Sequence, residues 1–163
     1  MLTLSIATAH ALKALRCLGG GHCPTRQIAD IARCAGVPRC YLAKVMTPLA
    51  RVGLITTKRG RYGGIGLARP AEAISLLEVV EAVEGPNWMG DCLLGLCDCL
   101  GDGTCPTEAL WRRIRDEIRR ELARLTLADL ITCQRTGRLE PFRRAGRAKS
   151  RVSPNPPGRR AHL

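Results

Sequence analysis

The stretch Gln27-Ile28-Ala29-Asp30-Ile31-Ala32-Arg33-Cys34-Ala35-Gly36-Val37-Pro38-Arg39-Cys40-Tyr41-Leu42 reads as a short helix, a tight turn and the start of a second helix. Ile28, Ile31 and Ala32 share one face of a helix over 27–34, with Thr25 positioned to cap it. Gly36-Val37-Pro38 supplies the turn. Beyond it, Tyr41, Leu42, Val45, Leu49 and Val52 recur at helical spacing as far as Gly53. Pro48 lies inside that helix, where it costs about 3 kcal/mol and is expected to kink it. Leu54-Ile55-Thr56-Thr57 has β-branched strand character, and Ile65-Gly66-Leu67-Ala68 reads as its return strand. The basic glycine loop Lys58-Arg59-Gly60-Arg61-Tyr62-Gly63-Gly64 joins the two. Upstream, Ile6, Ala9, Leu12, Leu15 and Leu18 mark a first helix halted by Gly19-Gly20-Gly21. Helix, helix, short turn, helix and a glycine-tipped hairpin together form the pattern of a winged helix-turn-helix.

Downstream, Ser75 caps a helix carrying Leu76, Leu77, Val79, Val80 and Val83, which Gly85-Pro86 ends. Residues 91–105 are rich in glycine and cysteine and have no periodicity. A long helix is expected from Pro106 to about Ile131, with Trp111, Ile114, Ile118, Leu122 and Leu125 stepping by three or four. In so small a chain a stripe of that length is expected to pack against its copy in a twofold dimer. From Gln134 the chain is rich in Arg, Pro and Gly and reads as disordered. The expected class is therefore mainly α with a small β-wing. It is a winged helix-turn-helix over 1–71, a cysteine loop and long dimerisation helix over 72–133, and a basic tail over 134–163.

Charge follows the same division. Residues 1–71 carry 11 Lys and Arg against one acid, Asp30. Residues 72–133 carry 6 Arg against 12 acids, and residues 134–163 carry 9 basic residues against Glu140 alone. The basic first region coincides with the helix-turn-helix spacing, and the two together point to double-stranded DNA. The helix after the turn would present Arg39, Cys40, Tyr41 and Lys44 to the major groove, and Lys58, Arg59 and Arg61 would meet the backbone or minor groove from the wing. The tail arginines would add sequence-independent phosphate attraction. Aromatic residues are only 3% of the 163, with a single Phe, which argues against a base-stacking platform. No apolar run approaches the length of a membrane span, and Met1–Leu12 lacks the basic start of a signal peptide, so a cytoplasmic protein is expected. No Walker-type phosphate loop, paired catalytic carboxylates or Ser-His-Asp set is present, so no enzyme is expected.

Nine cysteines in a cytoplasmic chain point to metal, cluster or redox chemistry. Cys92, Cys97, Cys99 and Cys105 are spaced C-x4-C-x-C-x5-C. Zinc ribbons use paired C-x2-C knuckles, absent here, whereas irregularly spaced thiolates on a loop suit an iron–sulfur cluster. Cys105 precedes Pro106 at the expected helix start, where the dipole favours a thiolate. Cys17, Cys23, Cys34 and Cys133 have no motif spacing and read as ordinary thiols. Two other uses of the loop stay open. One is a thiol switch without a cluster. The other is a module, zinc-stabilised or cluster-carrying, with no regulatory role.

The sequence resembles the winged-helix regulators that include IscR, NsrR and RirA, over about residues 1–133. The resemblance rests on Gln27-Ile28-Ala29, Tyr41-Leu42, Leu49-Ala50-Arg51-Val52-Gly53-Leu54-Ile55, Arg59-Gly60-Arg61-Tyr62-Gly63-Gly64, Val80-Glu81-Ala82-Val83-Glu84-Gly85, Cys105-Pro106 and Thr126-Leu127-Ala128-Asp129-Leu130 in order. It implies a homodimer on a palindromic operator, acting as a repressor. It also implies a 2Fe–2S or 4Fe–4S cluster responding to nitric oxide, iron or cluster supply, or redox state. Cys92, Cys99 and Cys105 match the family's three ligands, and Cys97 is extra. IscR uses a His as fourth ligand where this chain has Glu108. NsrR uses an Asp in a stretch that here reads Thr8-Ala9-His10. The candidates for the fourth ligand are thus Glu108, Cys97 and His10.

Overall fold

Ser5 starts the first helix, α1 (Ile6–Gly19), by accepting from the Thr8 N–H at 3.3 Å. The computed structural model describes residues 4–21, 23, 26–60, 63–95 and 105–135. α2 (Ile28–Ala35) begins after Gln27 rather than at a Thr25 cap, and Thr25 itself lies outside the described residues. Gly36 ends it at φ 63°, the left-handed conformation that an L side chain resists, and Val37 N–H closes the cap on Ala32 O at 2.9 Å. α3 (Arg39–Arg51) then runs through Pro48, which sits in its last turn. There the missing N–H and the ring clash disturb only the helix end, and buried Leu49 anchors that end in the core.

β1 (Ile55–Lys58) and β2 (Gly64–Leu67) form an antiparallel pair in which Ile55 faces Leu67 and Lys58 faces Gly64. The stretch before α2 lies beside this wing. Ile65 N–H donates to Arg26 O at 2.7 Å, and Gln27 Nε2 donates to Gly63 O at 2.8 Å. A Cβ on Gly64 would stand 2.7 Å from Arg26 Cβ and from Arg26 O, so only glycine permits this approach.

A short 3-10 turn, Ala71–Ala73, leads to α4 (Leu76–Glu84). Ser75 and Glu78 form a reciprocal capping box at its start. The single helix expected from Pro106 to Ile131 is two helices, α5 (Glu108–Arg124) and α6 (Leu127–Arg135). The break has a physical cause. Thr126 and Asp129 cap α6 as Ser75 and Glu78 cap α4, with Thr126 N–H on Asp129 Oδ2 at 2.8 Å and Asp129 N–H on Thr126 Oγ1 at 3.2 Å. The two caps also pair with each other, Leu76 N–H donating to Leu125 O at 2.8 Å and Leu127 N–H to Ile74 O at 2.9 Å. α5 likewise begins two residues after Pro106, because residues 105–107 form a turn closed by Glu108 N–H on Cys105 O at 3.1 Å.

The core joins the front of the chain to its end. Leu15, Ile31, Leu42, Leu49, Leu54, Ile74, Val79 and Leu127 are fully enclosed. α1 packs against α2, α3, α4 and α6. Buried Thr8 donates to Glu84 Oε1 at 2.6 Å, and Ser5 N–H donates to the same oxygen at 2.8 Å, so the end of α4 clamps the start of α1. Among the described residues no helix is long and apolar enough to cross a membrane.

Candidate nucleic-acid interface and cysteine centres

The turn at Gly36–Pro38 and the buried face of α3 determine what the other face can do. Leu42, Val45, Met46 and Leu49 point into the core, which turns Arg39, Cys40, Tyr41 and Lys44 outward. Lys58 and Arg59 are exposed at the end of β1, and Arg61 lies outside the described residues. Among the described residues, no carboxylate pairs with Arg39, Lys44, Lys58 or Arg59. The structure thus sets two groups of unneutralised cations on α3 and on the strand leading to the wing tip. Such cations are free to take phosphates or base-edge acceptors.

His10 of α1 meets this region. Its ring packs edge-on against Tyr41, with ring centres 5.2 Å apart. Burial, aided by the Lys13 charge, lowers its pKa, and its Nδ1 has no hydrogen-bond partner among the described residues.

Of the loop thiols, Cys92 and Cys105 are described, and both are half-buried. Cys97 and Cys99 lie outside the described residues. The segment entering the loop is fastened to α5. Trp111 Nε1 donates to Gly90 O at 3.2 Å, Arg115 Nη1 reaches Gly90 O and Asp91 Oδ1 at 3.0 Å each, and Arg119 holds Pro86 O at 3.1 Å. Residues 111, 115 and 119 stand on one helix face, so α5 grips the chain up to the residue before Cys92. Cys105 leaves the loop directly into α5, its Sγ 3.3 Å from Thr107 Oγ1. Glu108 at the helix start is nearly buried and pairs with Arg112 at 3.6 Å. Both ends of the cysteine loop are therefore anchored at the first half of α5. Thiols are donors of the kind iron takes, but among the described residues Cys92, Cys105 and Glu108 are not all brought within 4.8 Å of one another.

α5 itself buries only Trp111. Ile114, Ile118 and Leu122 are half-buried, while Leu110 is 45% and Leu125 43% exposed. The apolar stripe expected from the sequence is present, and among the described residues most of it is only partly covered.

A second group of thiols was missed by reasoning from spacing. Cys17 near the end of α1, Cys23 in the connector and Cys34 near the end of α2 bring their sulfur atoms within 4.8 Å of one another. They are the only set of three potential metal ligands so grouped among the described residues. Burial and hydrogen bonding with Cys34 push the Cys17 thiol up to about 12, and the same causes push Cys23 to about 11. Gaps of five and ten residues fit no local ligand motif, and only the folding of the connector closes them.

Residues 4–133 match the family model described as Rrf2, iron-dependent transcriptional regulator. Protein aau3 of Rhizobium meliloti (strain 1021) is 36% identical over 132 residues, which cover 80% of this chain and 85% of that protein. The HTH-type transcriptional regulator IscR of Escherichia coli O1:K1 is 34% identical over 107 residues, covering 66% of this chain and 65% of that one. Among solved structures, CymR (YrzC), described as the global cysteine regulator of B. subtilis, superposes with a TM-score of 0.65 at 30% identity. That superposition covers 81% of this chain and 98% of CymR.

Proposed function

Because the chain belongs to the Rrf2 family of transcriptional regulators, we propose that it is a homodimeric DNA-binding repressor of the cytoplasm whose operator affinity is set by an iron–sulfur cluster. The observation that carries the DNA face is the exposed cations Arg39 and Lys44 on α3, joined by Lys58 and Arg59 at the wing, none of them paired with a carboxylate among the described residues. In this reading, the N-terminal residues of α3 enter the major groove, and the wing tip, with Arg61, follows the backbone or the minor groove beside it. The partly exposed stripe on α5 supports a twofold partner, whose own recognition helix would take the second half-site of a palindromic operator. A dimer of this kind must hold two recognition helices about 34–36 Å apart, one turn of DNA.

Cys92, Cys99 and Cys105 would hold the cluster, with Glu108, Cys97 or His10 as fourth ligand. A bound cluster, 2Fe–2S or 4Fe–4S, supplies an iron centre reactive toward nitric oxide, oxygen and changes in iron supply. The chain's own part is mechanical. Trp111, Arg115 and Arg119 fix the entry to the loop, and the turn at Cys105 fixes its exit. Any change in the loop's length or order is thus delivered to the start of α5. Since α5 carries the dimer stripe, such a change alters the balance between dimers that fit the operator and dimers that do not. The basic tail, read from the sequence as 134–163 but beginning after α6, which takes in Gln134 and Arg135, would add phosphate attraction without base preference.

Anaerobic purification with an absorption spectrum and iron and sulfide assays tests this. Iron and sulfide in near-equal amounts, lost on exposure to nitric oxide or oxygen, are expected. Similarity to CymR, whose description names a cysteine regulator, favours one second reading, a thiol switch without a cluster. Colourless protein whose loop cysteines form disulfides on oxidation would support that alternative and overturn the cluster.

A further inference from the structure

The three thiols in the DNA-binding half form a group independent of the loop, and the geometry points to a zinc site built from Cys17, Cys23 and Cys34. Zn–S bonds are about 2.3 Å, so two sulfurs on a tetrahedral zinc stand about 3.8 Å apart. Here all three already lie within 4.8 Å of one another, so closing the site brings no pair of sulfurs together by more than about 1 Å. A packed core does not explain the group, because Cys34 is exposed and Cys23 half-buried, while only Cys17 is buried. That gradient also provides an entry path from solvent past Cys34. A depression of about 390 Å³, lined in part by Cys17, Cys23 and Arg26, adjoins the group and leaves room for water as a fourth ligand.

The charge favours a divalent ion. Three thiolates on Zn²⁺ leave one net negative charge, and the Arg16 charge acts on Cys17 while Arg26 lines the depression. A monovalent soft ion would leave two. The site would tie the end of α1, the connector and the end of α2 into one knot. The connector is the stretch whose Arg26 O and Gln27 side chain bond the wing. Metal there would hold the wing at a fixed position against the helix-turn-helix. This places a second metal control in the DNA-binding half, and it does not rest on the cluster.

The test uses full-length protein kept reduced, with Zn²⁺ titrated by calorimetry and Co²⁺ as a spectroscopic stand-in. One zinc per chain, thiolate-to-cobalt charge-transfer absorption and a raised Tm are expected. Cys34→Ser removes an exposed side chain, so the variant should fold, and it should bind zinc at least about tenfold more weakly. Cys23→Ser should do the same. The combined Cys92→Ser, Cys99→Ser, Cys105→Ser variant should keep its zinc and the Tm rise. Unchanged zinc affinity in Cys34→Ser, or loss of zinc only in the loop variant, would overturn the site. Either result would leave the iron and sulfide content of the loop as a separate question.

Discussion

The chain uses its basic residues in two opposite ways. On α5, Arg112, Arg115, Arg119, Arg120 and Arg124 each face a carboxylate: Glu108, Asp91, Glu81, Glu117 and Glu121 respectively. On α3 and the strand leading to the wing, Arg39, Lys44, Lys58 and Arg59 have no such partner among the described residues. A paired arginine spends its charge within the molecule, fixing a helix surface and the entry to the cysteine loop. An unpaired one keeps its charge for a partner. Composition alone shows that the first region is basic and the middle acidic. The pairing shows which cations remain available among the described residues, and those on α3 and the wing are the ones proposed to meet DNA.

Exchanging residues between the two sets tests this contrast. Arg39→Ala with Lys44→Ala should weaken operator binding most. A lost base contact costs about 1–3 kcal/mol, so the pair should cost about a hundredfold or more at fixed salt, with relaxed site preference. Fluorescence anisotropy on operator and scrambled duplexes reads both. An unchanged preference would move these residues from base edges to phosphates.

Next in size is the clamp between the end of α4 and the start of α1. Glu84→Ala strands the buried Thr8 hydroxyl and should cost about 1–3 kcal/mol in urea unfolding. Burial acts to raise the Glu84 pKa, but the hydrogen bonds from Ser5 and Thr8 outweigh it and leave it below the ordinary 4.5. A carboxylate with a lowered folded pKa stabilises the fold above its unfolded value and loses that contribution as pH falls through the folded value. The stability gap between parent and variant should accordingly be full at neutral pH and narrow in acid. A gap that widens in acid would contradict the clamp.

Lys58→Ala and Arg59→Ala should each lower affinity evenly across sequences and reduce the slope of log affinity against log salt by about one. The smallest effect belongs to α5. Arg120→Ala or Arg124→Ala removes an exposed pair three residues away and should change stability by less than about 0.5 kcal/mol. Neither should alter the salt slope, and a changed slope would place α5 on the DNA.

Much of the winged-helix fold was legible because its signals are local. Gly36-Val37-Pro38, the periodicity of α3 and the β-branched strand at residue 55 each fix their own neighbourhood. The break between α5 and α6 was less visible, since Leu127, Leu130 and Ile131 keep apolar residues at helical spacing beyond Leu125. A Thr-x-x-Asp cap at Thr126 carries that signal, and it is decisive only when Ser75 pairs with it across the chain. The loop cysteines announced themselves by crowding within fourteen residues, whereas Cys17, Cys23 and Cys34 did not. Their meeting depends on how α1, the connector and α2 pack, and spacing carries no trace of that. The grip of Trp111, Arg115 and Arg119 on residues 86–91 was hidden for the same reason, because these arginines resemble a solvated helix face.

Operator affinity measured at one salt concentration, on the same anaerobic preparation before and after its iron is stripped, probes the link between loop and DNA face most directly. The two states should differ by about tenfold or more, and the difference should vanish in the Cys92→Ser, Cys99→Ser, Cys105→Ser variant. Equal affinity of loaded and stripped protein would contradict it.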